Sequence, residues 1–427
     1  MAANFLHMKA MLRTVHFMEG NSNSVPSGQS SAVSARRVSS VALLILITIL
    51  SLAAFAVAAI SGGIGDYSMY LVQWHAQAST GNPWPTEFRG MPVEPNAYGP
   101  LHALLGYMFQ ANWLLPKAIL AGSPLLLFAI LVWDRHTRAA LSWGRILAAL
   151  AIFVLSPLVI LSNYVQGMND GFVALCIGLA CLCRKNRLFV LAGLLLGVGA
   201  LMKFYPLLFA PFLALDRDRT MRFRLLIVAA GVFFAGMAVG FGIWGDPALS
   251  PFTFGAVREA KALSLARLIE LTVCAAGAES VCEITTGKNV YLLLAVASAL
   301  AVVTWARGCT WDVALVVAIP LIFFVYKVGH NQFLICWLAV LLFINLQEKS
   351  ALRSRILLSA IPMLVYLSVL KIGYMLTGGT DGGGWDGKLW WVGEWMALPW
   401  LALLAGFIWS LREHLFDGEW RLPRLAI

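Results

Sequence analysis

Long apolar runs separated by short polar segments dominate this sequence, and they set its fold class. Most of them are long enough to cross a bilayer as a helix, and those at 171–183, 188–202 and 204–215 are short enough to be merged, tilted or broken. The pattern predicts an all-α polytopic membrane protein, because a transmembrane β-barrel needs short alternating segments that are not seen. The predicted spans are 41–60, 117–133, 143–161, 171–183, 188–202, 204–215, 222–242, 289–305, 311–328, 331–346, 355–375 and 390–411.

The first forty residues differ from the rest of the chain. They are rich in serine, weakly patterned, and end near Arg36 and Arg37. We expect residues 1–40 to be a mobile cytoplasmic tail and residues 41–427 to form the transmembrane domain. A cleaved signal peptide would begin nearer the first methionine, so the run 41–60 is expected to be an uncleaved first span.

The placement of charge indicates an orientation. Only 12% of residues are charged, and the net charge is +10. The basic residues cluster in short segments between apolar runs, such as "WDRHTR", "CRKNR" and "QEKSALRSR", which is the positive-inside pattern. The excess charge therefore reports orientation in a membrane, most simply a bacterial inner membrane, rather than a nucleic-acid partner.

This orientation places three segments outside the cell: 61–115, 242–288 and a glycine-rich loop near Asp381. In the first, "DYSMYLVQWHAQA" and "GPLHALLGYMFQANW" predict amphipathic helices at the membrane interface, separated by the proline-rich break "TGNPWP". The second contains Cys274 and Cys282, for which a disulfide is a hypothesis, since the bond would persist outside the cell.

Polar residues recur where predicted spans meet the outer surface. Such residues are costly at membrane depth, so each requires an explanation. Because these residues share the same predicted depth at the outer surface, one functional site is favoured over several unrelated features. They are Asp66 after the first span, Asn169 and Asp170 at the fourth, Lys203 and Tyr205 between the fifth and sixth, and His330 and Gln332 between the ninth and tenth.

Each of these residues also has a structural alternative. Asp66 and Asp170 are both compatible with helix caps. Lys203 is compatible with a lysine that extends to lipid headgroups. His330 is compatible with an ordinary hydrogen-bonded polar residue, and only the common level of the set weighs against these alternatives.

The set suits transfer of a sugar from a lipid-linked phosphosugar. A carboxylate can take a proton from an acceptor hydroxyl, and cations and hydrogen-bond donors can stabilise the departing phosphate. A glycine-rich loop for a nucleotide sugar is neither expected outside the cell nor present in the sequence.

The same segments resemble integral-membrane glycosyltransferases of the GT-C class. "GDYSMYLVQWHAQASTGNPW", "YGPLHALLGYMF", "QGMNDGF" with its continuation to "LMKFYPLLFAP", and "GHNQFLICWLAVLL" are similar in order and spacing to the polyprenol-phosphate-mannose-dependent mannosyltransferases. The resemblance implies a GT-C-like bundle of about 12 transmembrane helices, with interfacial helices in the first outer loop.

The resemblance also implies roles for residues. Asp66 would be the catalytic base, Asp170 a second acid in the acceptor site, and Ile64 stands where some members have a further acid, so no metal or other cofactor is expected. Candidates for the donor phosphate are Lys203, His330, Gln332 and Arg258, with Arg267 able to share that role. Candidates for acceptor or substrate contact are Asp170, Asn169, Tyr67, Tyr98, His102 and Tyr205.

The predicted function is transfer of a hexose, with mannose the first expectation, from a polyprenyl phosphate to an extracytoplasmic glycan or glycolipid, with inversion. The expected partners are the donor, the acceptor and membrane lipids, and no nucleic acid. Two alternatives stay open. A transporter or flippase for a lipid-linked glycan would place polar residues at mid-membrane, and a glycan ligase or polymerase would use a diphosphate-linked donor.

Overall fold

The computed structural model describes residues 38–93, 96–215, 218–277, 279–347, 350–376 and 395–416. These residues belong to one compact unit, Arg37–Ile427. Nearly all of the predicted tail at 1–40, and the glycine-rich loop near Asp381, lie outside the described residues.

Helices form most of the described chain. Their order is α1 (Ser40–Ile60), α2 (Asp66–Thr80), α3 (Pro100–Ala111), α4 (Leu114–Arg138), α5 (Trp143–Ala149), α6 (Pro157–Val159), α7 (Asp170–Lys185), α8 (Phe189–Met202), α9 (Pro206–Leu213), α10 (Arg219–Trp244), α11 (Ser250–Val257), α12 (Leu265–Ile269), α13 (Glu279–Cys282), α14 (Asn289–Ala306), α15 (Trp311–Val325), α16 (Ile335–Leu346), α17 (Ala351–Leu376), α18 (Ala397–Ser410) and α19 (Arg412–Phe416).

Shorter elements extend or connect these helices. The strands are β1 (Glu87–Phe88), β2 (Met91–Pro92), β3 (Lys261–Ala262) and β4 (Val328–Gly329). The 3₁₀ turns are Asp246–Leu249 and Asn331–Leu334. π-Helical segments continue α5, α6, α12 and α13 over Leu150–Val154, Ile160–Val165, Glu270–Cys274 and Glu283–Gly287.

The all-α polytopic class predicted from the sequence is confirmed. Helices α1, α4, α14, α17 and the Thr220–Trp244 part of α10 are long and apolar enough to cross a membrane. Helices α5 and α6 with their π-helical continuations, Trp143–Val154 and Pro157–Val165, qualify together as one span bent by 41°. Helices α8, α15 and α18 and the segment Asn331–Leu346 are apolar but shorter.

One predicted span, 204–215, requires a correction. Helix α9 covers only Pro206–Leu213, a length of about 12 Å, and is too short to cross a bilayer by itself. The chain breaks between α8 and α9 because Lys203 adopts extended backbone at the end of α8 and Pro206 starts the next helix. The total number of crossings therefore stays a prediction.

The core lies in the middle of the helical bundle. Every residue of α16 except Asn345 is buried, and α7 and α15 are buried along most of their lengths. In contrast, α1, α10 and α14 expose large apolar side chains such as Ile49, Phe234 and Val302. Apolar helices with exposed apolar faces indicate contact with lipid, because contiguous surfaces of this kind are rare on soluble proteins.

Small residues bring two of these helices together. A Cβ atom on Gly193 of α8 would lie 2.5 Å from the carbonyl oxygen of Leu225 on α10, and one on Gly197 would lie 2.6 Å from Val232 Cβ. The sequence "GLLLG" is thus a small-xxx-small face that allows close helix packing, as is common between membrane helices.

The two ends of the bundle differ in chemistry. Basic residues of α4 and α7 meet at one end, where the Arg138 guanidinium donates to Asn186. Asp66, Asp170, Lys203 and His330 lie at the opposite end, which is called the Asp66 end below. Both helices predicted in the first loop, α2 and α3, are confirmed and lie at this end.

Candidate active site

Asp66 is the first residue of α2 and is half-buried. The preceding residue, Gly65, has a positive φ of 58°, and a Cβ atom there would lie 2.7 Å from the side-chain nitrogen of Gln166. Only glycine suits this turn. Gly65, not Asp66, occupies the N-cap position. The turn therefore presents the Asp66 carboxylate at a helix N-terminus, where the helix dipole favours negative charge.

Tyr67 fixes α2 against α4. Its hydroxyl donates to the carbonyl of Trp113 at 2.6 Å and accepts from the backbone N–H of Lys117 at 3.1 Å. The side chain is fully buried. Tyr67, which the sequence predicts as a substrate contact, therefore lies in the packing between α2 and α4 that supports Asp66.

An aromatic cluster lies beneath α2. The Tyr70 hydroxyl donates to the Tyr98 hydroxyl at 3.1 Å, and the His102 ring packs 4.6 Å from the Tyr70 ring and 4.7 Å from the Tyr98 ring. Burial, and secondarily the positive charge of Lys203, lower the pKa of His102 to about 3. His102 is therefore neutral at physiological pH.

Asp170 and Lys203 form a buried ion pair. The Lys203 ammonium donates to both carboxylate oxygens of Asp170 at 2.8 and 2.9 Å, and the Tyr205 hydroxyl donates to the same carboxylate at 3.0 Å. Lys203 also lies 5.0 Å from the centre of the Tyr98 ring. The helix-cap alternative for Asp170 and the lipid-headgroup alternative for Lys203 are both wrong, because each side chain is buried and satisfied by the other.

Asn169 occupies the N-cap position of α7 but makes no capping hydrogen bond with its side chain. Its side chain is fully buried, and neither polar atom of its amide has a hydrogen-bond partner among the described residues. A buried unsatisfied amide is costly, so Asn169 is a candidate for contact with a ligand or an ordered water.

His330 lies in the connection between α15 and α16, and a second loop packs against it. Strand β3 pairs in parallel with β4, with Lys261 opposite Val328 and Ala262 opposite Gly329. The loop that follows α10 is thereby held beside His330, although about seventy residues separate the two in sequence.

The electrostatics around His330 are strongly positive. Burial lowers the pKa of His330 well below its usual value, and so do the charges of Arg258, Lys203, Lys261 and Lys371. The imidazole is therefore neutral and can donate a hydrogen bond from one ring nitrogen. These positive charges favour an anion beside His330, although the charge of Lys203 is balanced by Asp170.

The remaining predicted phosphate ligands differ in placement. Gln332 is buried in the 3₁₀ turn directly after His330. Arg258 ends α11, and its charge acts on both His330 and Tyr98. Arg267 forms an ion pair with Glu270 on its own helical segment at 2.7 Å, which partly offsets its charge.

A family match covers the middle of this arrangement. Residues 96–306 match the family model for Glycosyltransferase family 87. The matched region runs from just before α3 to the end of α14 and includes Asp170, Lys203 and Arg258, whereas Asp66 and His330 lie on either side of it. Neither the curated proteins nor the solved structures yielded a match.

The match supports glycosyltransferase activity in a membrane protein. It agrees with the resemblance to membrane glycosyltransferases drawn from the sequence. The donor, the sugar and the mechanism are not specified by it. Within the described residues, no group of three or more His, Cys, Asp or Glu is placed to hold a metal ion.

Two cations of this site are absent from the residues predicted by sequence. Lys261 was in a predicted outer loop without a distinguishing motif, and only the β3–β4 pairing brings it to His330. Lys371 stands in the apolar run "LVYLSVLKIGYML". A lone charge in a membrane span is itself a signal of function, and it was available in the sequence.

Proposed function

We propose that this protein transfers a hexose, with mannose as the first candidate, from a polyprenyl phosphate to an extracytoplasmic glycan or glycolipid, with Asp66 as the general base. One set of contacts carries the proposal: the Tyr70 hydroxyl of α2, one turn after Asp66, donates to Tyr98, and the Tyr98 ring lies 5.0 Å from the Lys203 ammonium that pairs with Asp170. These contacts support a single site at the Asp66 end. It would contain a carboxylate for the acceptor hydroxyl and cations for the donor phosphate.

The reaction follows from these groups. The acceptor hydroxyl oxygen attacks the anomeric carbon of the donor sugar as its proton passes to the Asp66 carboxylate. The new C–O bond forms while the bond from the anomeric carbon to the phosphate oxygen breaks. The electron pair leaves with the polyprenyl phosphate. Because the hydroxyl attacks from the face opposite the leaving group, a β-linked donor gives an α-linked product.

The leaving phosphate gains one negative charge in this step. His330 can donate a hydrogen bond to it, and Arg258 and Lys261 supply positive charge nearby. Preorganised donors and cations of this kind stabilise charge that develops in the transition state. Lys203 contributes less, because its charge is balanced by Asp170.

The placement of the site outside the cell is supported by two features. Cys274 and Cys282, in the loop that packs beside His330, form a disulfide bond, and disulfides persist mainly in oxidising compartments. The basic clusters of α4 and α7 lie at the opposite end, as expected for the cytoplasmic side. The disulfide hypothesis drawn from the sequence agrees with this pairing.

The test is transfer by the purified protein with labelled polyprenyl phosphate hexoses and extracted glycans or glycolipids as acceptors. Asp66→Asn should lower the rate by about 10²–10⁴-fold, since an amide cannot accept the proton. Glu87→Gln changes an exposed carboxylate of the same loop and should leave the rate unchanged. Wild-type turnover by the Asp66→Asn variant would remove Asp66 as the base.

His330→Ala tests the donor side of the site. Loss of a hydrogen bond to a charged phosphate should cost about 1.5–3 kcal/mol of transition-state stabilisation. The rate at saturating acceptor and varied donor is the measurement that isolates this effect. An unchanged donor dependence, or movement of an intact lipid-linked glycan without sugar transfer, would contradict the proposal.

A further inference from the structure

Lys371 of α17 is a buried lysine that the proposed reaction does not yet use. Its side chain is 1% exposed, and its ammonium donates to the Gln166 side-chain oxygen at 2.6 Å. It also lies 5.0 Å from the centre of the Tyr374 ring. A fully buried lysine is rare, so its contacts indicate what it holds in place.

Gln166 connects Lys371 to the turn that presents Asp66. Its side-chain nitrogen lies 2.7 Å from the Cβ position of Gly65, and the neighbouring Val165 carbonyl accepts a hydrogen bond from the Ser61 hydroxyl at 3.0 Å. The π-helical segment that ends at Val165 therefore packs against both sides of the turn between α1 and α2. The Gln166 amide thus lies against the Gly65 turn that precedes Asp66.

Lys371 also faces the other half of the site. Helix α17 contacts the π-helical segment Ile160–Val165 and the 3₁₀ turn Asn331–Leu334. The charge of Lys371 is among those that lower the pKa of His330. Lys371 thus lies between the turn that holds Asp66 and the segment that holds His330.

We propose that Lys371 is a positioning residue for Asp66: through Gln166 it fixes the Gly65 turn, and its positive charge favours an anion at position 66. The proposal rests on the function proposed above, in which Asp66 is the base. It adds α17 to the site, a helix beyond both the matched residues 96–306 and the segments that carry the sequence resemblance.

The kinetic test separates positioning from simple binding. Lys371→Met should lower kcat by about tenfold to a hundredfold with a smaller change in KM for the donor, because small misplacement of a reacting group has effects of that size. Lys371→Arg should recover part of the activity. Equal kcat for Lys371→Met and wild type would overturn the proposal.

A second test does not depend on transferase activity. In a Cys309→Ser background, Asp66→Cys would place an accessible thiol at the site. The remaining free cysteines are buried and Cys274 pairs with Cys282, so alkylation would report on position 66. A nearby cation lowers a thiol pKa and speeds alkylation. Adding Lys371→Met should slow alkylation of position 66 at pH 7 by about tenfold.

Matched variants make this second test decisive. Lys327 is also a buried lysine, but its ammonium donates to the Thr286 carbonyl, so Lys327→Met should leave the alkylation rate unchanged. If Lys371→Met does not fold, Lys371→Gln replaces it, since the amide can still donate to Gln166 without charge. Equal alkylation rates with and without the lysine would refute its action on position 66, even if no donor is ever turned over.

Two neighbouring tyrosines do not complicate the alkylation result. Burial is the first cause that raises the pKa of Tyr70 and Tyr98 above the usual value, and the charge of Asp66 adds to the effect in both. Both phenols are therefore neutral at pH 7 and contribute no charge that could change with the variants.

Discussion

Replacing Lys203 by alanine should destabilise the protein before it tests donor binding. The carboxylate of Asp170 is fully buried, and Lys203 is its only cationic partner among the described residues. Without the ammonium, Asp170 retains the hydroxyl of Tyr205 as a donor. One hydrogen bond from an uncharged hydroxyl does not replace the two from the ammonium, and it does not neutralise the carboxylate.

The size of the effect follows from the burial of both groups. Removing one partner of a buried ion pair leaves an uncompensated charge and costs about 3–5 kcal/mol. A large domain loses about 2 °C of melting temperature for each kcal/mol. The melting temperature of Lys203→Ala should therefore fall by about 6–10 °C.

The control removes both charges at once. In Asp170→Asn with Lys203→Met, the amide can still accept from Tyr205, and the methionine fills most of the lysine volume. Replacing a whole buried pair by neutral groups is often close to neutral for stability. The double variant should therefore melt near the wild type, measured as the loss of the monodisperse chromatographic peak after heating.

The same double variant decides the role of Lys203 in donor binding. Transfer at near wild-type rate would show that Lys203 is structural and does not bind the phosphate. Stable protein with a large rise in KM for the donor would favour phosphate binding. A Lys203→Ala variant as stable as the wild type would refute the ion-pair reasoning.

Three further predictions concern stability. Burial lowers the pKa of His102 to about 3, so as pH falls below about 6.5 the imidazole is protonated in the unfolded chain but not in the folded protein, and stability is lost. His102→Phe should reduce that loss by about 2 kcal/mol between pH 6.5 and 5, measured by melting at each pH. Gly193→Ala should cost about 1–3 kcal/mol by overpacking against α10, whereas Gly231→Ala, with nothing near its Cβ position, should cost nothing measurable in the same melting assay. Cys274 and Cys282 should appear as one linked peptide pair by mass spectrometry without reductant, and replacing both by serine should cost about 2–3 kcal/mol; free thiols at both positions in native protein would contradict this.

The sequence determined the fold class and most of the elements. A bilayer imposes internal hydrogen bonding on every spanning segment, so apolar length alone predicts helices. The positions of α1, α4, α14 and α17 agree with the runs in the sequence. The exception is α9, because Pro206 and the extended backbone at Lys203 limit it to Pro206–Leu213, whereas the short apolar run predicts a span over 204–215.

The sequence also placed the main polar residues at one end. Successive spans alternate in direction, so residues at the ends of appropriate spans meet at one face. Asp66, Asp170, Lys203 and His330 are brought together in this way. What each side chain does there was not predictable, since pairing depends on distances of a few ångströms between segments far apart in sequence.

The tertiary structure decided how the charged residues are paired and grouped. It joined Asp170 to Lys203, placed Arg258 and Lys261 beside His330 through the β3–β4 pairing, and set Lys371 against Gln166. Each of these contacts links residues more than thirty positions apart. Hydropathy and local propensity describe one segment at a time. The strength of a charge pair is instead set by packing between segments, because Coulomb energy depends on separation and burial.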